Sequence, residues 1–133
     1  MMQGLRLIVV IALLGALSAC TSASGYSDLD RAATSDDVLP GLPADSSDDL
    51  DLGSVRYVGT HEGRTFYLAR ADPQPGVCVA IYLNAESWIV GCGTEVTVGG
   101  TGISVSVIPD GGVVPEGATL VGNNVVILQS SGS

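Results

Sequence analysis

The chain contains no lysine, a single histidine and few aromatic residues. All five of its basic residues are arginines, and its aromatic residues are four tyrosines, one Phe and one Trp. The absence of lysine excludes mechanisms that depend on a lysine nucleophile or Schiff base. Fourteen acidic residues bring the net charge to −9, which argues against nucleic-acid binding because that function needs basic patches.

Long apolar runs are also scarce, and the one that stands out covers residues 5–17. Its uninterrupted apolar core is about a dozen residues long, which suits an export signal and is too short to span a bilayer comfortably. Arg6 provides the positive charge of such a signal, and the small residues Ser18 and Ala19 directly precede Cys20. The pattern resembles a bacterial lipobox, so we expect residues 1–19 to be a signal peptide that is cleaved between Ala19 and Cys20.

A lipobox predicts that Cys20 carries two or three acyl chains, which is enough for stable membrane anchoring. Loss of Arg6 with the signal leaves four arginines against fourteen acids, a net charge of about −10. Because this charge repels anionic lipid, the anchor has to be covalent. We therefore expect a lipid-anchored protein on the extracytoplasmic face of the cell membrane. An uncleaved signal anchor and ordinary cleavage without lipid are the alternatives.

Residues 21–53 contain eight aspartates and one arginine, and their aliphatic residues show no periodicity. Such a segment buries too little apolar area to offset its ordering entropy. We expect residues 20–53 to form a lipidated, acidic and disordered linker before one folded domain at residues 54–133. A calcium site at Asp45, Asp48, Asp49 and Asp51 is the alternative, but their spacing lacks the ligand pattern of an EF-hand loop. The sequence predicts neither a metal nor a cofactor.

From Ser54 onward, short apolar runs alternate with Gly, Pro and Asn, which predicts strands joined by turns. The expected fold is all-β, a small antiparallel sandwich or barrel of seven to eight short strands. A first hairpin pairs residues 55–60 with 64–69 around a three-residue loop at 61–63. This register places Val58 opposite Phe66 and Tyr57 opposite Tyr67.

Three further hairpins follow along the chain. Residues 77–83 pair with 87–92, which sets Tyr82 opposite Trp88 and Cys78 opposite Cys92. Residues 94–98 pair with 101–108 across a turn at residues 99–100, which sets Val96 opposite Ile103. The other face of this hairpin is polar, as expected of a sheet with one wet face, and carries Glu95, Thr97, Ser104 and Ser106. Residues 119–121 pair with 125–128.

The cysteines divide into one lipidated residue and one pair. With Cys20 assigned to lipid, Cys78 and Cys92 remain in an oxidising compartment and face each other in the hairpin register. We therefore expect a disulfide between them. A redox-active role lacks a C-x-x-C spacing, and a metal site lacks further soft ligands because His61 is the only histidine.

No catalytic motif is present, and we expect the protein not to be an enzyme. His61 lies in a turn beside Glu62, without a positioned nucleophile. The serines lie in neither a G-x-S-x-G nor an S-x-x-K motif. Tyr82 and Trp88 are candidate ligand-binding residues, although cross-strand packing is the more common role of such a pair.

Four stretches resemble the C-terminal domain of small actinobacterial lipoproteins: SVRYVGTHEGRTFYLAR, GVCVAIYL, WIVGC and GNNVVIL. The resemblance implies a lipobox, an acidic linker and a small Cys-paired β domain, but no activity. The expected function is a non-enzymatic module that binds an envelope protein or ligand. A cell-envelope hydrolase and an accessory subunit of an envelope complex are the alternatives.

Overall fold

Alternating apolar and polar residues form two antiparallel sheets that pack face to face. The computed structural model describes residues 24–41, 49–100 and 102–128. Within these residues the strand orders are β1-β2-β3-β4 and β5-β6-β8-β7, so the expected small all-β sandwich is confirmed. The eight strands are β1 (Arg56–His61), β2 (Arg64–Arg70), β3 (Val77–Asn84), β4 (Ser87–Gly93), β5 (Val96–Gly100), β6 (Ile103–Val107), β7 (Thr119–Val121) and β8 (Val125–Leu128).

The core lies between the two sheets and consists mainly of aliphatic side chains. Phe66 is the only phenylalanine of the chain and is fully buried there. It packs with side chains that point inward from both sheets, among them Leu68, Val79, Val105 and Val125. Because strand side chains alternate between faces, the same strands leave a second set on the outer face of the β1–β4 sheet.

The first hairpin differs from the expected register at its tip. His61 pairs directly with Arg64, so the loop contains only two residues, Glu62 and Gly63. Both have positive φ values, 50° and 77°, as a type I′ turn requires. A bulge between Tyr57 and Gly59 then restores the expected Tyr57–Tyr67 pairing. The predicted Val58–Phe66 pair is wrong, since Gly59 lies opposite Phe66.

The second hairpin has the expected register up to Tyr82, and a bulge then pairs Asn84 with Ser87 at its tip, where a three-residue loop at 84–86 was expected. Tyr82 lies opposite Trp88, and Cys78 lies opposite Cys92. The predicted disulfide is present between these cysteines, whose Cα atoms are 4.0 Å apart. It closes a loop across β3 and β4, which in the chain-entropy account of disulfides stabilises a small domain by about 3 kcal/mol.

The third hairpin turns later than expected, between Gly100 and Ile103. Val96 therefore lies opposite Val107, and the predicted Val96–Ile103 pair is wrong. Because the shift is an even number of residues, every side chain keeps its expected face. The polar face is retained as well, with a hydroxyl–hydroxyl hydrogen bond of 2.8 Å between Thr97 and Ser106.

The last hairpin has the expected pairing, with Val121 opposite Val125. Residues 108–118 connect β6 to β7, which run parallel on either side of β8. This connection contains the two expected turns, closed by hydrogen bonds from the backbone N–H of Gly112 to the carbonyl of Pro109 and from Ala118 to Pro115.

Residues 24–41 dock onto the sandwich, which differs from the disordered linker expected there. A short helix, α1 (Ser27–Asp30), inserts Leu29 into the core between the sheets. The buried Asp28 carboxylate accepts hydrogen bonds of 2.9 Å from the backbone N–H groups of Asn123 and Asn124. The Asn124 side chain in turn accepts a hydrogen bond of 3.0 Å from the Asp28 N–H. We call these reciprocal bonds the Asp28–Asn124 lock.

Asp110 adds a second attachment for α1. Its carboxylate accepts hydrogen bonds from the backbone and side chain of Ser27, at 3.0 and 2.9 Å, and from the side chain of Asn124 at 2.9 Å. These hydrogen bonds lower the pKa of Asp110, and the bond from the Ser27 backbone contributes most. Its own N–H donates to the carbonyl of Gly25.

The outer edge of β1 is covered by two side chains instead of another strand. Asp37 accepts a hydrogen bond of 2.6 Å from the N–H of Tyr57, and Arg31 donates one of 2.7 Å to the carbonyl of the same residue. Arg31 and Asp37 also form a two-point ion pair. An exposed edge strand invites pairing with other chains, so this pair protects the sheet.

The outer face of the β1–β4 sheet carries a second apolar cluster. Tyr67, Cys78 and Ala80 are buried there beneath Leu50 and Val55, with Leu39 packed alongside. The need to cover this apolar face is a physical reason why residues 31–41 are ordered and not disordered. The Asp51 side chain accepts a hydrogen bond from the N–H of Gly53, and the backbone N–H of Asp51 donates to the carbonyl of Arg70.

The lipobox, Cys20, Asp45 and Asp48 lie outside the described residues. Within the described part of the chain, no helix is long and apolar enough to cross a bilayer. The expected signal peptide and anchor therefore stay predictions.

Replacing Asn124 by Ala should lower the free energy of unfolding by roughly 3 kcal/mol. The substitution removes hydrogen bonds to Ile108 and Asp110 and leaves the Asp28 N–H without its acceptor. Urea denaturation measures the change. Asn84→Ala is the matched control, because Asn84 is exposed at the end of β3 and its side chain accepts one hydrogen bond, from the N–H of Glu86. Equal losses in the two variants would contradict the lock.

The protein should lose stability in acid through Asp37. The hydrogen bond from Arg31 holds the pKa of this carboxyl well below its ordinary value, with further bonds from Thr34 and Tyr57. Because the folded pKa is depressed, the stabilisation is complete at neutral pH and disappears as pH falls below about 4. Asp37→Asn should lower the free energy of unfolding by roughly 3 kcal/mol at pH 7. It should also weaken the loss of stability in acid. Asp36 is an exposed neighbour, so Asp36→Asn should change neither the stability at pH 7 nor its loss in acid. An unchanged loss of stability in acid for Asp37→Asn would refute the role of Asp37.

Candidate binding groove

The end of the sandwich that carries the β1–β2 turn contains an open groove of about 440 Å³. This volume falls within the range of small-ligand sites. The β1–β2 turn supplies one wall, and the β5–β8 sheet with the end of the β6–β7 connection supplies the rest. The lining residues are His61, Glu62, Ile103, Gly117, Thr119, Ile127 and Leu128.

Glu62 occupies an unfavourable backbone conformation in this wall. Its φ is 50°, and it is the only residue other than glycine with positive φ in the described part of the chain. Asn, Asp and Gly are the usual residues at this position of a type I′ turn, because the left-handed conformation brings Cβ close to the backbone. Strained residues of this kind concentrate at functional sites.

The polar side chains of the wall form a loose, solvent-accessible group. The Glu62 carboxylate lies 3.8 Å from Nε2 of His61 and 4.0 Å from a guanidinium nitrogen of Arg64. Glu62 is 69% exposed, whereas the Arg64 side chain is 15% exposed and reaches the neighbouring turn at Gly102. Ion pairs with so exposed a carboxylate contribute little to stability, so Glu62 is able to pair with a ligand.

The groove brings polar side chains together beside aliphatic ones. A general base requires an orienting hydrogen bond of about 2.6–3.2 Å, and the His61–Glu62 separation is longer than that. The groove can offer an imidazole, a carboxylate and the hydroxyl of Thr119 over an aliphatic floor of Ile103 and Ile127. Such a surface suits a ligand or peptide with both polar and apolar groups.

The aromatic residues singled out in the sequence lie elsewhere. Tyr82 and Trp88 are opposite each other on the outer face of the β3–β4 pair, and neither lines the groove. Tyr82 packs against the second apolar cluster, and Trp88 is half-buried. Tyr57 and Tyr67 form an edge-to-face pair with ring centroids 6.0 Å apart, as cross-strand packing predicts. Burial raises the pKa of Tyr67.

A second depression of about 450 Å³ lies at the opposite end of the β1–β4 sheet, beside the disulfide. Its lining residues are Asp49, Ala71, Gln74, Pro75, Cys92, Gly93 and Thr94. Asp49 is the only charged group in that lining. Among the described residues, no cluster of His, Cys, Asp or Glu could hold a metal ion. Asp49 and Asp51 are described, but Asp45 and Asp48 of the calcium alternative are not.

The sequence drew attention to His61 and Glu62 as turn residues but did not reveal the groove. Its other lining residues come from the second sheet and meet the turn only through sheet packing. The signal available in the sequence was the dipeptide Glu62-Gly63, an unusual choice for a two-residue turn.

Comparison with known proteins adds no relationship. No family model matches the chain. Neither the curated proteins nor the solved structures contain a match. The resemblance to small actinobacterial lipoproteins stays a prediction, and the groove has to be interpreted from its own geometry.

Replacing Glu62 by Asn should stabilise the protein by about 0.5–1 kcal/mol, because Asn tolerates the left-handed conformation better. Thermal or urea unfolding measures the gain. Glu86→Asn is the matched control, since Glu86 is an exposed glutamate in the β3–β4 turn without a positive φ. A gain of the same size in both variants would show that charge removal, and not backbone strain, is responsible.

Proposed function

We propose that this protein is an exported lipoprotein whose β sandwich is a non-enzymatic binding module on the extracytoplasmic face of the membrane. The sequence Leu17-Ser18-Ala19-Cys20 after a short apolar run supports export and lipidation. The Cys78–Cys92 disulfide is compatible with an oxidising compartment.

The strained Glu62 at the groove is the observation on which the binding function rests. The conformation disfavours glutamate, and the side chain is directed into solvent beside an imidazole. A turn selected for stability alone would carry Asn or Gly there. We infer that the carboxylate and imidazole contact the ligand while Ile103 and Ile127 bury its apolar part.

A hydrolase acting on wall polymer is the first alternative. Cleavage of a glycosidic bond needs two carboxyl groups that converge on the scissile bond. Along the described lining of the groove, Glu62 is the only carboxylate. The geometry therefore favours binding over this type of hydrolysis.

An accessory subunit of an envelope complex is the second alternative. Val113 in the β6–β7 connection is 87% exposed, and Leu120 on the edge strand β7 is 45% exposed. Exposed aliphatic side chains of this kind are found at protein contacts. In that case the partner would contact the β6–β7 connection and β7 instead of the groove.

The anchor can be tested in the native host. Wild-type protein should incorporate labelled palmitate and remain with membranes after a high-salt wash, because acyl chains do not depend on charge. Cys20→Ser should abolish both properties, whereas Ser22→Ala should not. A Cys20→Ser protein that stays equally membrane-bound would refute the lipid anchor.

The groove can be tested by photo-crosslinking on intact membranes. A photoreactive residue at Thr119, in the groove, should capture a defined partner or ligand, and His61→Ala should reduce that capture. The same probe at Thr97 is the control, since Thr97 is an exposed threonine of the same sheet that does not line the groove. Equal capture from both positions, or capture from 113 and 120 alone, would contradict binding in the groove.

A further inference from the structure

The chain is attached to the sandwich from the first residues that the structure describes. The N–H of Ser24 donates hydrogen bonds to the Asp30 carboxylate at 3.1 and 3.2 Å, and the carbonyl of Gly25 accepts one of 2.7 Å from Asp110. The Asp28–Asn124 lock follows three residues later. The acidic segment is therefore docked on the domain at its N-terminal end.

This docking leaves little chain between the predicted lipid and the domain. Four residue steps separate Cys20 from Ser24, and even a fully extended chain covers at most roughly 14 Å over that length. A tether of 30 or more free residues would let the domain turn in any direction, whereas a connection of four residue steps restricts its orientation.

The attachment and the groove are at opposite ends of the sandwich. α1 lies where β2 ends, since Asp30 is 3.9 Å from Arg70, and it is bonded to the turn that follows β7. The groove lies where β2 begins, at the turn that contains Glu62. The seven-residue strand β2 connects the two ends, a distance of roughly 20 Å at the usual rise per residue.

We propose that the lipid on Cys20 holds the α1 end of the sandwich against the membrane surface, so that the groove faces outward. The inference rests on the lipid anchor of the proposed function. It replaces a free tether by a short, docked attachment. A partner in the cell envelope then approaches the groove without obstruction by the bilayer.

The orientation can be measured on the full-length lipoprotein in vesicles of phosphatidylcholine and phosphatidylglycerol. A donor dye is attached at Leu52→Cys or Leu83→Cys, and acceptor lipids are placed in the outer leaflet. Leu52 and Leu83 are both exposed leucines, the first beside the end of β2 and the second near the groove. Because Cys20 is acylated and Cys78 and Cys92 are bonded, each introduced cysteine is the only free thiol. The distance to the acceptor plane should be shorter from position 52 by about 20 Å, the length of β2.

A variant with a longer attachment tests whether the short connection between Cys20 and Ser24 causes the orientation, without altering the fold. Insertion of about 20 Gly and Ser residues between Ala23 and Ser24 adds a chain with an r.m.s. span of roughly 25 Å. This insertion should remove most of the difference between positions 52 and 83. The same insertion after Leu128 is the control and should leave the difference unchanged.

The outcomes separate this inference from the proposed function. Equal distances from positions 52 and 83 in acylated, vesicle-bound protein would overturn the orientation and leave the anchor intact. A difference that persists after the N-terminal insertion would also overturn it. Protein that carries no lipid and does not bind vesicles would overturn both the orientation and the lipid anchor.

Discussion

The buried carboxylate of Asp28 is the interaction on which the rest of the structure depends. A charge buried without partners is expensive, and Asp28 is tolerated because two backbone N–H groups of the β7–β8 turn and the Asn123 side chain donate to it. The same bonds fix α1, which places Leu29 in the core. A small sandwich with one phenylalanine and few large side chains has little apolar area to lose. Closing its open end with Leu29 and a satisfied carboxylate is therefore essential to a stable core.

The acidic residues of the N-terminal segment serve different physical purposes. Asp36 is exposed and adds only charge, whereas Asp37 beside it is buried, paired with Arg31 and bonded to the edge of β1. Asp28 holds α1 to the β7–β8 turn, together with Asp110 of the β6–β7 connection. From composition alone, all of these aspartates would be expected to be exposed to solvent. Their difference depends on whether a backbone N–H or an arginine lies within reach once the sheets have formed.

The sequence was sufficient to predict the strand content, the faces of the strands, the disulfide and the β3–β4 register. These properties follow from an apolar period of two and from a symmetric turn. The tips of the first and third hairpins were not predictable by the same argument. Glutamate is rare with the positive φ that Glu62 adopts, and the β5–β6 turn is displaced by an even number of residues, which keeps the alternation of the side chains. The order of residues 24–41 was missed for another reason. Their partners, Asn124 and Tyr57, lie far away in the sequence, and no local pattern indicates them.

The two ends of the sandwich differ in how their polar groups are used. At the α1 end the carboxylates of Asp28 and Asp110 each accept three hydrogen bonds, and replacing either would leave donors without acceptors. At the groove end the polar groups of His61 and Glu62 are loosely paired and exposed, and the backbone of Glu62 is strained. Strain can persist at one end because the bonds at the other, with the disulfide, hold the sheets in place. This contrast between engaged carboxylates at the α1 end and loosely paired groups at the groove end supports the proposal that a ligand binds in the groove.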